Sequence, residues 1–180
     1  MKTIFIFLLI LSNCTSCHAQ KEMKELDEKS KSFSLAMQSR EKADKVLRLF
    51  DTILAPKLLY SIDDIHYLVI IKIDQSFSEY YIKMTSNSNI SDVRLLHNIE
   101  RESEFLIRAF DFEKYSTELL FDNRGIISAK KYIVMIDENG NRYGECSVLS
   151  LPFVHIDEEL NMYCAKRLAE VIYSFDLNWK

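Results

Sequence analysis

The sequence predicts an α+β fold: a long N-terminal helix, a mainly antiparallel sheet of about five to six strands, and a C-terminal helix packed on the sheet. Three observations carry that prediction. Apolar residues recur at helical spacing over 21–54 and again over 157–175. Strand-like runs are grouped between those two stretches, and Pro56, Gly125 and Gly140 fall where the chain must stop or turn.

Each element follows from its own pattern. In 21–54, Leu26, Phe33, Met37, Ala43, Leu47, Phe50 and Leu54 make one apolar stripe that Pro56 ends. Over 65–73, Ile65, Tyr67, Val69, Ile71 and Ile73 alternate with a second apolar set, as in a strand covered on both faces. Residues 75–78 then read as a turn, and 79–85 as the next strand, with Tyr80, Ile82 and Met84 on one face. The stretch 92–110 fits either a helix throughout or a short strand followed by a helix from about Glu100. Further strands are expected at 116–121 and 126–136. Asp137-Glu138-Asn139-Gly140-Asn141 then predicts a type I′ hairpin turn into a strand over 142–149. The last helix begins near Asp157, with Leu160, Cys164, Leu168, Val171, Ile172 and Phe175 as its stripe.

Composition limits the functions available. The 180 residues, 48% hydrophobic and 28% charged, suit one domain with a real core and exclude disorder. Three glycines and two prolines exclude collagen-like and linker-dominated chains and leave too few glycines for a phosphate-binding loop. A net charge of -4 argues against nucleic acid as a partner.

The first residues have the three parts of an export signal: Lys2, the apolar run Thr3 to Ser12, and the polar stretch Asn13 to Ala19. Residues 1–19 are therefore expected to be a signal peptide, or a lipoprotein leader ending before Cys17, which would carry the lipid. The run is about half the ~20 residues needed to span a bilayer, so contact with a membrane is expected only through that anchor. Residues 20–180 then form a single domain, with 20–32 as a loose tether, in a periplasmic, secreted or outer-membrane-associated protein. Loss of Lys2 with the leader makes the mature chain one charge more acidic. Cys146 and Cys164 remain, either as a disulfide suited to an oxidising compartment or as two buried thiols. A bridge would close a loop of about 17 residues and add ~3 kcal/mol.

Several groups have chemistry to offer. His155, Asp157, Glu158 and Glu159 form the densest polar cluster, although Asp157 as N-cap and glutamates in a first turn also describe an ordinary helix start. Asp64 and His66 would share one side of a strand. Cys146 with His66, His97 or His155 as base would make a small thiol hydrolase, as would a site built on His155. Asp137, Asn139 and Asn141 alternate like calcium ligands, but Arg142 stands where the EF-hand glycine belongs and Val148 where its glutamate belongs. Tyr80, Tyr81, Tyr132 and Tyr143 read either as a recognition surface or as packing. No cofactor is expected, because the chain has no G-x-S-x-G, H-E-x-x-H or phosphate-loop motif.

The run Tyr81-Ile82-Lys83-Met84-Thr85-Ser86-Asn87-Ser88-Asn89-Ile90-Ser91-Asp92-Val93-Arg94-Leu95-Leu96 resembles the hairpin of TonB C-terminal domains. In that family a strand, a polar turn, an Ile/Val-Ser-Asp-Val-like second strand and a helix succeed one another. The resemblance implies a coupling domain that would bind the periplasmic end of an outer-membrane receptor. The residues alone lead to a simpler expectation: an exported, non-enzymatic module that binds a protein, glycan or envelope component through its sheet face or loops.

Overall fold

The structure, a computed structural model, describes residues 2–99, 104–121, 131–148 and 158–176. Helix α1 (Lys2–Leu47) runs into a 3-10 turn, Arg48–Phe50; its 46 residues span about 69 Å. Strands β1 (Lys57–Ser61), β2 (His66–Ile73), β3 (Ser76–Met84) and β4 (Ile90–Ile99) follow. Next come helix α2 (Glu104–Ala109), the two-residue β5 (Leu120–Phe121), β6 (Lys131–Ile136), β7 (Arg142–Val148) and helix α3 (Glu158–Asp176). The seven strands form one sheet in the order β4-β3-β2-β1-β6-β7-β5, antiparallel except where β5 meets β7. The α+β class holds, with more strands than expected.

Alternation along the strands divides the core into two layers. Tyr67, Val69 and Ile71 of β2 and Tyr132 and Val134 of β6 face α1, where Ala43, Val46, Leu47 and Phe50 meet them. Leu68 and Ile70 of β2 and Ile133 and Met135 of β6 face the other way, onto Leu106 of α2 and Leu160, Cys164, Leu168 and Val171 of α3. A sheet covered on both sides explains why β2 is apolar at both parities.

The face of α1 that meets the sheet differs from the one its large residues suggest. Ser32, Ala36, Ser39, Ala43, Val46, Leu47 and Phe50 are buried, while Leu26, Phe33 and Met37 are exposed. The strand side chains beneath are bulky, so small residues on the helix let its axis lie close to them. Within 20–32, expected as a loose tether, residues 21–31 are helix with mostly exposed side chains and three i,i+4 ion pairs: Lys21–Glu25, Lys24–Glu28 and Asp27–Lys31.

Other departures have local causes. Strand β1 was not expected, because five consecutive buried residues after Pro56 show no alternation. It is nevertheless central, paired with β2 and β6. Residues 92–99 belong to a strand, β4, since Val93 and Leu95 pair with Ile82 and Tyr80 of β3. Of the strand expected at 116–121, only Leu120 and Phe121 pair. The start of the one expected at 126–136 lies outside the described residues. The β6–β7 turn is not type I′: Gly140 alone has positive φ there, at 84°, and Gly140 N donates to Asp137 O at 3.1 Å. This is a three-residue loop, a type I turn closed by a left-handed glycine, and Asn139 keeps an ordinary φ. Gly144, inside β7, also has positive φ (55°), and a Cβ there would lie 3.2 Å from Met135 Cε. The irregular register between Ile133 and Met135 lies opposite this glycine.

Candidate functional site

A cleft of about 460 Å³ opens where the end of α1 meets the β6–β7 hairpin. Leu47, Ile53 and Leu54 supply its apolar wall, and Leu54 is 83% exposed. Arg48, Lys57 and Arg142 bring positive charge, and Asp44, Asp51, Asp137 and Glu138 negative charge.

Three local devices fix this geometry. Lys57 Nζ donates to Ile53 O at 2.5 Å and to Ala55 O at 3.0 Å, tying down two carbonyls of the loop between the 3-10 turn and β1. Burial pushes the Lys57 amine below its usual pKa, against the pull of Asp51. On the opposite wall, Asp137 Oδ1 accepts from Asn139 N (2.9 Å) and Asn141 N (2.8 Å), and Oδ2 accepts from Asn141 Nδ2 at 2.8 Å. Desolvation raises the pKa of this carboxyl, but the bonds from Asn141 and Asn139 outweigh it and leave it lowered. Between the walls, the Arg142 guanidinium donates to Asp44 Oδ1 (2.6 Å), Glu145 Oε2 (3.1 Å) and Tyr132 Oη (2.9 Å). Glu145 also takes the Tyr132 hydroxyl and lies 3.3 Å from Arg40 Nε. Burial opposes the charge on Arg142, yet the Tyr132 oxygen, Asp44 and Glu145 together hold it protonated.

The residues singled out from sequence are scattered. Cys146 and Cys164 are free thiols buried in the α3-side layer, so the disulfide is not formed and the buried-thiol alternative is the one observed. Burial raises the Cys164 pKa, and Cys146 is 2% exposed, so neither thiol is open to a substrate. His66 Nδ1 lies 2.6 Å from Asp63 Oδ2 rather than beside Asp64. Asp64, in the β1–β2 turn with φ 60°, reaches across to Ser39 Oγ (3.0 Å) and Lys42 Nζ (3.4 Å) of α1. The shared side expected for Asp64 and His66 is lost because β2 starts only at His66.

His155 and Asp157 lie outside the described residues. Glu158 and Glu159 occupy the first turn of α3, and Glu159 pairs with Arg108 of α2 at 2.5 Å. His97 sits opposite Glu79 in the β3–β4 ladder, and Cys17 lies on α1. Tyr81 and Tyr132 are buried; Tyr80 packs on Phe50 and Tyr143 on Phe112, so these four serve the core. Among the described residues no three of His, Cys, Asp and Glu are grouped to hold a metal ion, and no helix is long and apolar enough to cross a membrane.

Sequence reasoning found the hairpin and missed the cleft, whose other half comes from Arg48, Ile53 and Lys57 in the stretch treated only as a helix end. Five residues of low Gly and Pro content between Pro56 and Ile62 were the available signal for the strand that places Lys57. Compared with known protein families, curated proteins and solved structures, the chain matches none.

Proposed function

We propose that the chain is an exported, non-enzymatic recognition module that binds a segment of a partner protein in the cleft between α1 and the β6–β7 hairpin. The observation that carries this reading is Leu54, a large apolar side chain left 83% exposed at the mouth of a cleft with charges of both signs. Binding sites pair an apolar contact with a few fixed polar groups, and a volume of about 460 Å³ is in their usual range. Both walls are preorganised by Lys57 and Asp137, which lowers the ordering cost of binding. Export rests on the leader: Lys2, the apolar run Thr3 to Ser12 and the polar stretch before Gln20. The net charge of -4 supports a partner other than nucleic acid.

A photo-reactive residue placed at Leu54 should give a discrete adduct in cells, and one at Tyr173, 68% exposed on α3, should not. Leu54→Asp should abolish binding of the protein so identified. Equal adducts from both positions would refute the cleft. For export, the intact mass of the native protein should correspond to a start at Gln20 or to a lipid-bearing Cys17; an unprocessed Met1 start would refute it.

A further inference from the structure

We infer that β4 is a self-association edge through which two copies join their sheets antiparallel, about a two-fold axis at Val93. The two ends of the sheet are unlike. At one end β5 has two residues and lies under α1, where Phe33 packs edge-on against Phe121 at 5.4 Å between centroids. At the other end β4 has ten residues, and no described strand lies beyond it. A long open edge presents a row of main-chain donors and acceptors and is ready to pair with another strand.

The side chains of this edge fit a second copy of the same strand. Val93 and Leu95 sit across from Ile82 and Tyr80, on the α1 side of the sheet, yet remain 46% and 58% exposed. Arg94 sits across from Tyr81 on the other side, with its guanidinium 4.2 Å from the centre of the Phe175 ring. Antiparallel pairing about Val93 would set that residue against its own copy and Asp92 against Arg94 of the other chain, twice by symmetry. The Arg94 Nε bond to Asp92 Oδ2 of its own chain, at 2.6 Å, already shows the two charges to be compatible neighbours. Register shifts fall between Glu79 and Tyr80 and between Lys83 and Met84, so the regular part of the edge is Asp92–Leu95, which contains Val93 and the two matching charges.

Sedimentation of the purified protein over micromolar to millimolar concentrations tests this. The expected result is a monomer–dimer equilibrium, weakened at least tenfold by Val93→Lys. Asp92→Arg and Arg94→Asp should each be monomeric alone, because each sets like charges opposite one another, while an equimolar mixture of the two variants should dimerise. A wild-type protein that stays monomeric throughout would overturn the inference and leave Asp92 and Arg94 as charges that keep a solvated edge apart. So would a dimer indifferent to Val93→Lys, or a mixture no more associated than its components. Circular dichroism of each variant separates these outcomes from misfolding.

Discussion

Among the described residues, Glu79 and Glu145 are carboxylates buried on opposite faces of the sheet, and the two are held differently. Glu79, 1% exposed on the α3 side, accepts from the Tyr163 hydroxyl and from Arg167 Nε at 2.8 Å; both partners stand on α3. Glu145, 2% exposed on the α1 side, is served by Tyr132 and Arg142 from the sheet itself, and α1 contributes Arg40 and, through Arg142, Asp44. If α3 lifted away, Glu79 would lose both of these partners inside the protein. If α1 lifted away, Glu145 would keep its sheet partners. Removing one partner from a charge that stays buried is costly, so the α3 layer depends on Tyr163 and Arg167, whereas α1 is attached by a close small-residue seam and by polar contacts at its borders.

The sharpest way to break this contrast is to weaken the α3 layer directly. Leu168→Ala, at a fully buried position, should cost about 3 kcal/mol in urea unfolding, through lost transfer energy and a cavity. A cost under about 1 kcal/mol would mean that α3 does not carry that layer. Next, Arg167→Ala should cost about 2 kcal/mol, somewhat less than a fully buried pair because Arg167 is partly exposed, while Arg40→Ala should cost about 0.5 kcal/mol. Equal costs would erase the difference between the faces. On the α1 side the seam should be sensitive to size rather than to charge: Ala43→Leu should cost roughly 1–3 kcal/mol by overpacking. A neutral result would refute the close approach.

The smallest effects are in pH dependence, and two carboxyls should act with opposite sign. Asp137 has a lowered pKa in the folded state, so its stabilisation is present above the unfolded value of about 3.9 and is lost as pH falls through the folded one. Asp64 has a raised pKa, chiefly from desolvation and against Lys42 and Ser39, so folding favours its protonated form. Its contribution therefore declines as pH rises from about 3.9 through the folded value. Stability measured against pH should accordingly lose part of its acid-side fall in Asp137→Asn and part of its opposing slope in Asp64→Asn. Unchanged profiles in both variants would contradict these assignments.

What could be read from the residues was what depends on period and on turn chemistry. The two-sided apolar pattern of β2, the hairpin at Asn139-Gly140 and the stripe of α3 all mark their elements within the residues that form them. What could not be read depends on partners distant in sequence. The α1 stripe was right at Ala43, Leu47 and Phe50 but not before them, because burial there favours Ser32, Ala36 and Ser39 over Phe33 and Met37, a choice set by the bulk of strands that come later in the chain. Strand β1 is buried at every position, so alternation is silent. The cleft joins Arg48 and Lys57 to a hairpin some eighty residues on. Residues 81–96 do form a hairpin, of β3 and β4, and it is the border of a seven-stranded sheet.

Helix α1 has a further, mechanical consequence. A pull applied at exposed Lys21, on the N-terminal side of its contacts with the sheet, and directed along its axis would load the helix in shear against the sheet rather than peel it away. The buried seam from Ser32 to Phe50 and the polar cluster within it, Ser39 and Lys42 to Asp64, Arg40 to Glu145 and Asp44 to Arg142, would then share the force in parallel. The same force turned perpendicular to the sheet would break them one after another, so the domain should resist tension from one direction much better than from the other.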